Sequence, residues 1–213
     1  MIKAVIFDLD GVIVSTDNCH FNAWKKLADE EEIYFDREIN NRLRGVSRME
    51  SLDIVLENSD RPYSVDEKKV LANKKNEYYK AMISKLTPND ILPGVLRRLE
   101  ELKKNNIKIA IGSSSKNTPL ILKQIGLSDY FDAISDGNNI KKSKPDPEVF
   151  LKAAEMLRVE NKNCLIVEDA DAGIMAGKNA CMKTLAVQGA GGADYEAENL
   201  EKCDLLKICL NSK

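Results

Sequence analysis

Two carboxylates, Asp8 and Asp10, follow the apolar run Ala4-Val5-Ile6-Phe7 and are separated only by Leu9. The run is β-branched in its middle and reads as a buried strand. Residues two apart on extended backbone face the same way, so both acids point to one side where the strand ends. Gly11 then lets the chain turn sharply. Acids placed there suit packing badly and chemistry well, because ligands of open parallel sheets bind at the carboxyl edge.

Three other polar clusters follow strands or open helices. Gly112-Ser113-Ser114-Ser115-Lys116-Asn117 offers small hydroxyls, backbone N–H groups and a helix start, which together suit an anion. In Lys142-Ser143-Lys144-Pro145-Asp146-Pro147 the proline holds Lys144 extended as a fixed positive charge. In Val167-Glu168-Asp169-Ala170-Asp171-Ala172-Gly173 neighbouring acids repel each other unless a cation lies between them, and oxygen ligands suit Mg²⁺. Taken singly, each cluster has a plainer alternative. These are a surface Asp-Gly turn, a serine N-cap, a solvated lysine, and an acidic first turn stabilised by the helix dipole. Taken together they share one edge of one predicted sheet. Acids, a hydroxyl and amide nest, and a lysine are what phosphoryl transfer through a carboxylate nucleophile requires. A carboxylate is ionised at neutral pH and attacks without help from a base.

The elements that must carry these groups alternate. Strands are predicted at 4–7, 107–111, 133–135, 164–167 and 184–187, with helices at 95–104, 118–125, 147–157 and 172–179 between them. Leu205 to Leu210 reads as a last edge strand. Strands alternating with helices indicate a parallel sheet covered on both faces. From about Asn18 to Leu86 the pattern is helical instead, with amphipathic pieces near His20–Ala28, Ser51–Leu56 and Glu67–Ile83, which reads as an insert.

With 213 residues, 31% charged and 43% apolar, the chain has room for one large domain or a domain with an insert. A net charge of −2 gives no reason to expect nucleic acid or a membrane surface as partner. There is no signal-peptide pattern and no apolar run of membrane-spanning length. The five cysteines, odd in number and without a CxxC, suggest neither a disulfide framework nor a zinc site, and favour a reducing cytoplasm. Cys19 and His20 are sequence neighbours and so are badly placed to form a nucleophile pair on a helix.

Asp8-Leu9-Asp10-Gly11, Ser113, Lys144-Pro145 and Glu168-Asp169 resemble, in order and spacing, the four signature motifs of the haloacid dehalogenase superfamily. The resemblance spans nearly the whole chain. It implies an α/β fold with a Rossmann-like parallel-sheet core at 1–15 and 88–213 and an inserted helical cap domain at 16–87. The segments Phe7–Ile13, His20-Phe21, Ala23-Trp24, Gly45-Val46-Ser47-Arg48, Ser51-Leu52, Lys75-Asn76, Ser115-Lys116-Asn117 and Ser143-Lys144-Pro145 are similar to the sugar-phosphate mutases of that superfamily.

That similarity implies interconversion of β-D-glucose 1-phosphate and D-glucose 6-phosphate, primed by β-glucose 1,6-bisphosphate. It implies Asp8 as nucleophile and Asp10 as general acid and base. One Mg²⁺ would be held by Asp8, the Asp10 carbonyl, Glu168 and Asp169. Ser113 and Lys144 would contact the transferring phosphate, and Arg48, Ser115, Lys116 and Asn117 the other one. Thr16 lies at the hinge, and His20 and Lys75 couple closure to Asp10. Gly45 and Val46 belong to a specificity loop, and Trp24, Ser47, Ser51 and Ser114 complete the substrate-binding set. Departures from the pattern are Ser15, Arg44, Ala170 and Ala180-Cys181, none of them a chemical group of the site. Small sugar phosphates are the only partners expected, and a monomer accommodates an opening cap. The alternatives are a sugar-phosphate phosphatase with the same core and, from another class, a non-catalytic binder of phosphorylated metabolites. The intact nucleophile set argues against a binder.

Overall fold

The computed structural model describes residues 1–43 and 46–212. The first strand, β1 (Ala4–Phe7), is buried along its whole length. Its alternation divides the core: Val5 and Phe7 enter one apolar cluster, and Ala4 and Ile6 the other. β2 (Lys108–Gly112) and β4 (Cys164–Glu168) divide in the same way, with Ile109, Ile111, Leu165 and Val167 on the first side and Ala110, Cys164 and Ile166 on the second. Near-continuous apolar runs are what strands covered on both faces require. Each buried Val, Ile, Leu or Phe among them contributes roughly 1.5–3 kcal/mol by burial.

With β3 (Ala133–Ser135), β5 (Lys183–Ala186) and β6 (Tyr195–Glu196), the strands form a six-stranded sheet in the order β3-β2-β1-β4-β5-β6. Every pairing is parallel. The order reverses between β1 and β4, and the crevice at such a switch point is where doubly wound sheets bind ligands.

Four helices follow β1: α1 (Asp17–Glu30), α2 (Arg37–Asn41), α3 (Arg48–Leu56) and α4 (Val65–Ile83). They enclose a third apolar cluster around Trp24, Leu27, Leu52, Val55 and Leu71. Capping boxes start α3 at Ser47 with Glu50 and α4 at Ser64 with Glu67, so the positions of Arg48 and Lys75 are set by defined helix starts. Ala23 of α1 and Tyr79 and Ile83 of α4 belong to the main cluster, which ties these helices to the sheet.

The remaining helices are α5 (Val95–Lys104), α6 (Thr118–Gln124), α7 (Glu148–Leu157), α8 (Asp171–Asn179) and α9 (Leu205–Asn211). The expected edge strand at Leu205–Leu210 is thus a helix. Asp204 caps it, accepting from Lys207 N at 3.1 Å, and Leu205 and Cys209, four apart, turn inward together. The true edge strand is Tyr195–Glu196, too short to stand out as a pattern. The short α2 was likewise not anticipated.

Candidate active site

The switch point brings the predicted acids together. Asp8 leaves β1 with its backbone N–H bonded to Val167 O at 2.9 Å, while Glu168 and Asp169 leave the adjacent β4. Carboxylate oxygens of Asp8, Glu168 and Asp169 all lie within 4.8 Å of one another. Lys144, on the loop before α7, is 2% exposed and donates to Asp8 Oδ1 at 2.6 Å and to Glu168 Oε1 at 2.5 Å. The Lys144–Pro145 peptide is cis. Burial works against this ammonium, but Asp8 and Glu168 outweigh it and hold its pKa above the usual lysine range.

The acids remain in excess. Burial, then the charges of Asp8, Glu168 and Asp10, push Asp169 up to about 8. Burial likewise drives Glu168 upward against the pull of Lys144. No group among the described residues donates to the Asp169 carboxylate. Three carboxylates facing one ammonium leave a charge deficit that a divalent cation would neutralise, and an all-oxygen donor set suits Mg²⁺. Gly11, with φ +79, is required here because a Cβ would overlap the Asp169 carboxylate.

Asp10 is tied to the start of α1. Its Oδ1 accepts from Thr16 N at 2.6 Å and its Oδ2 from the Thr16 hydroxyl at 2.7 Å. Burial pushes its pKa up to about 6 against these bonds. Nε2 of His20 lies 3.9 Å from Asp10 Oδ2. On the other side of the ring, Lys75 Nζ is 3.0 Å from His20 Nδ1. As an ammonium, Lys75 can only donate, so His20 Nδ1 accepts and Nε2 carries the proton that faces Asp10. Burial, Lys75 and Arg48 hold the His20 pKa well below its usual value, which keeps the ring neutral.

Lys75 is 3% exposed, with the Trp24 and Tyr79 rings 4.6 and 4.8 Å from its nitrogen. Burial and the nearby Arg48 bring its pKa down to about 7. Arg48, at the start of α3, makes no hydrogen bond or ion pair with any described residue. The charges of Glu77 and Asp10 favour these two cations, yet burial outweighs them and both pKa values fall, an arrangement that an anion would relieve.

The Ser113–Asn117 loop leaves β2 at the same edge and joins the two sides. Ser113 Oγ accepts from Ser115 N and Ser115 Oγ from Asn117 N, both at 3.2 Å, while Asn117 Nδ2 donates to Asn76 Oδ1 on α4 at 2.9 Å. The Ser114 hydroxyl is buried with no partner among the described residues. Ser47 spends its hydroxyl on the α3 cap, and Ser51, one turn on, is buried. Val46 precedes that cap, and Gly45 lies outside the described residues. Two contributors were not anticipated as site residues. Asn76 and Tyr79 sit on α4 beside Lys75, where the helical pattern marks Tyr79 only as core. Its place four residues after Lys75, on the same face, is the one available hint.

A Rossmann-like sheet with this carboxylate and lysine edge defines a phosphoryl-transfer protein, and residues 2–180 match the haloacid dehalogenase-like hydrolase family. The chain belongs to that family. It is 50% identical to the β-phosphoglucomutase of Bacillus subtilis over 87% of this chain and 83% of that protein. It is 32% identical to a phosphorylated carbohydrates phosphatase of Thermotoga maritima over 84% of this chain and 81% of that one. The crystal structure of β-phosphoglucomutase from Clostridium difficile matches with a TM-score of 0.91 at 42% identity, covering 99% of this chain and 98% of that one. Membership of this family implies dependence on Mg²⁺, which the acid cluster fits. Among the described residues no helix is long and apolar enough to cross a membrane.

Proposed function

We propose that this protein interconverts β-D-glucose 1-phosphate and D-glucose 6-phosphate through β-glucose 1,6-bisphosphate and an aspartyl phosphate on Asp8, as a β-phosphoglucomutase does. The observation that carries this reading is the pairing of two distinct centres suited to phosphate. One is the acid cluster with Lys144 at the sheet edge, which would take a phosphoryl group once Mg²⁺ is held there, and the other is Arg48 with Lys75 on the helices. Removing a single phosphate needs only the first centre. A bisphosphate occupies both.

In this reading an Asp8 carboxylate oxygen attacks phosphorus, the bond to the sugar oxygen breaks, and Asp10 gives that oxygen a proton. In the return step a sugar hydroxyl loses its proton to Asp10 and takes the phosphoryl group from Asp8. General acid–base assistance of this kind contributes about 10²–10⁴-fold. Lys144 and Ser113 hold the transferring group. Arg48, with its bidentate fork, works with Ser115, Lys116 and Asn117 on the distal phosphate. Asp8, the Asp10 carbonyl, Glu168 and Asp169 would hold Mg²⁺, which when bound offsets repulsion between the carboxylates and the incoming phosphate.

The reading takes 16–87 as a cap that closes on 1–15 and 88–213. Asn76–Asn117 is the contact that closure would tighten. His20 and Lys75 report that closure to Asp10, and Trp24, Gly45, Val46, Ser47, Ser51 and Ser114 shape the sugar pocket around Thr16. It also takes the protein as a monomer acting in the cytoplasm, in keeping with five free cysteines. The test is incubation with β-glucose 1-phosphate, Mg²⁺ and a trace of the bisphosphate. Glucose 6-phosphate should form only when the trace is present. Release of free phosphate as the main product would favour a sugar-phosphate phosphatase instead.

A further inference from the structure

We infer that Tyr79 is a positioning residue for Asp10 and acts on it through Thr16. The inference rests on Asp10 being the proton-transfer group of the reading above. Both Asp10 oxygens are held by one residue, Oδ1 by the Thr16 amide and Oδ2 by the Thr16 hydroxyl. A threonine hydroxyl has one proton, and a carboxylate only accepts. That proton therefore goes to Asp10. The remaining bond at Thr16 Oγ1, 2.9 Å to the Tyr79 hydroxyl, must then have tyrosine as its donor. Burial and the Asp10 charge hold the phenol well above its usual pKa, so it stays protonated.

Tyr79 is 1% exposed and Thr16 fully buried, and no other described group accepts from the phenol. The Tyr79 ring also supports the other neighbour of Asp10, since the His20 ring lies 4.1 Å away, centroid to centroid, at 40°. One side chain of α4 thus underlies both groups that approach Asp10. Its hydroxyl is the part that fixes the Thr16 rotamer, and its ring is the part that packs. Tyr79→Phe separates the two, because it keeps the ring and deletes only the donor.

The experiment compares two reactions of the full-length protein. Phosphorylation of Asp8 by acetyl phosphate expels acetate, which leaves without a proton, so it does not need Asp10. Transfer from the phosphoenzyme to β-glucose 1-phosphate does. Loss of one oriented hydrogen bond in Tyr79→Phe should slow transfer about tenfold. Phosphorylation by acetyl phosphate and the KM for β-glucose 1-phosphate should stay unchanged. Thr16→Val should slow transfer at least as much, and adding Tyr79→Phe to it should cost nothing more, because the path is already cut. Equal loss in both reactions, no loss in transfer, or additive losses in the double variant would each overturn the inference. The unmodified protein run alongside tests the underlying reading. If it makes no glucose 6-phosphate, that reading falls and this one with it. If it makes product and Tyr79→Phe matches it, only the role of Tyr79 falls.

Discussion

Lys75 places a positive charge where folding alone would not, and Lys75→Met should make the protein more stable while impairing it. The fall of the Lys75 pKa from 10.5 to about 7, at about 1.4 kcal/mol per unit, corresponds to a destabilisation of up to about 5 kcal/mol when the group is charged. Its bond to His20 and its approach to the Trp24 and Tyr79 rings return roughly 1–3 kcal/mol of this. Methionine keeps the stem and loses the charge. The variant should therefore be more stable by about 2–4 kcal/mol at pH 6. The sign with pH follows from proton counting. Between pH 7 and 10.5 the unfolded chain holds a proton that folded Lys75 has released, so the unmodified protein gains stability as pH rises. The variant lacks that gain. Its advantage should shrink by up to about 1.4 kcal/mol per pH unit across this window. Glu168 and Asp169 titrate in both proteins and cancel in the difference. Urea denaturation of both proteins at half-unit steps from pH 6 to 9.5 measures it. A difference that stays flat with pH, or a variant less stable at pH 6, would refute the account of Lys75 as a buried cation held for an anionic ligand.

Asp8→Asn should abolish phosphoenzyme formation, read by mass spectrometry after acetyl phosphate treatment, because an amide cannot form the acyl phosphate. Asp169→Ala should raise the Mg²⁺ concentration needed for half-maximal stabilisation in a thermal shift titration by at least about tenfold, as expected for loss of a charged ligand. An unchanged titration would remove Asp169 from the metal site. Arg48→Ala should slow conversion of β-glucose 1-phosphate by about 10²-fold or more while sparing phosphorylation by acetyl phosphate, which has no second phosphate to hold. Equal losses in the two reactions would make Arg48 a structural residue.

The sheet was legible because its central strands are buried on both faces. Ala4–Phe7 and Cys164–Val167 are apolar runs, Ile107–Ile111 is one but for Lys108 near its start, and each delivers its polar cluster to the same edge. Leu205–Leu210 misled because apolar residues on both sides of Lys207 satisfy either period, and the Asp204 cap decided for the helix. The acids and Lys144 were visible as chemistry because such groups cannot be explained by packing. The links between them were not. The Thr16–Tyr79 bond joins residues 63 apart, and the Asn76–Asn117 bond residues 41 apart, across elements whose mutual placement no local pattern encodes. The burial of Arg48 and Lys75 beside each other was hidden for the same reason, since a lone cation in a sequence reads as a solvated one.

The central claim is that the helices hold a sugar in place so that the Asp8 phosphoryl group goes to a hydroxyl and not to water. Effective molarities for well-positioned groups reach roughly 10⁵–10⁸ M, ample to outcompete solvent. The direct measurement is a single-turnover partition. Phosphoenzyme made with labelled acetyl phosphate is mixed with saturating β-glucose 1-phosphate, and label is counted in sugar phosphates and in free phosphate. The account predicts sugar phosphate in large excess over free phosphate. Free phosphate equal to or exceeding labelled sugar phosphate would contradict it and assign the protein to the phosphatases of its family.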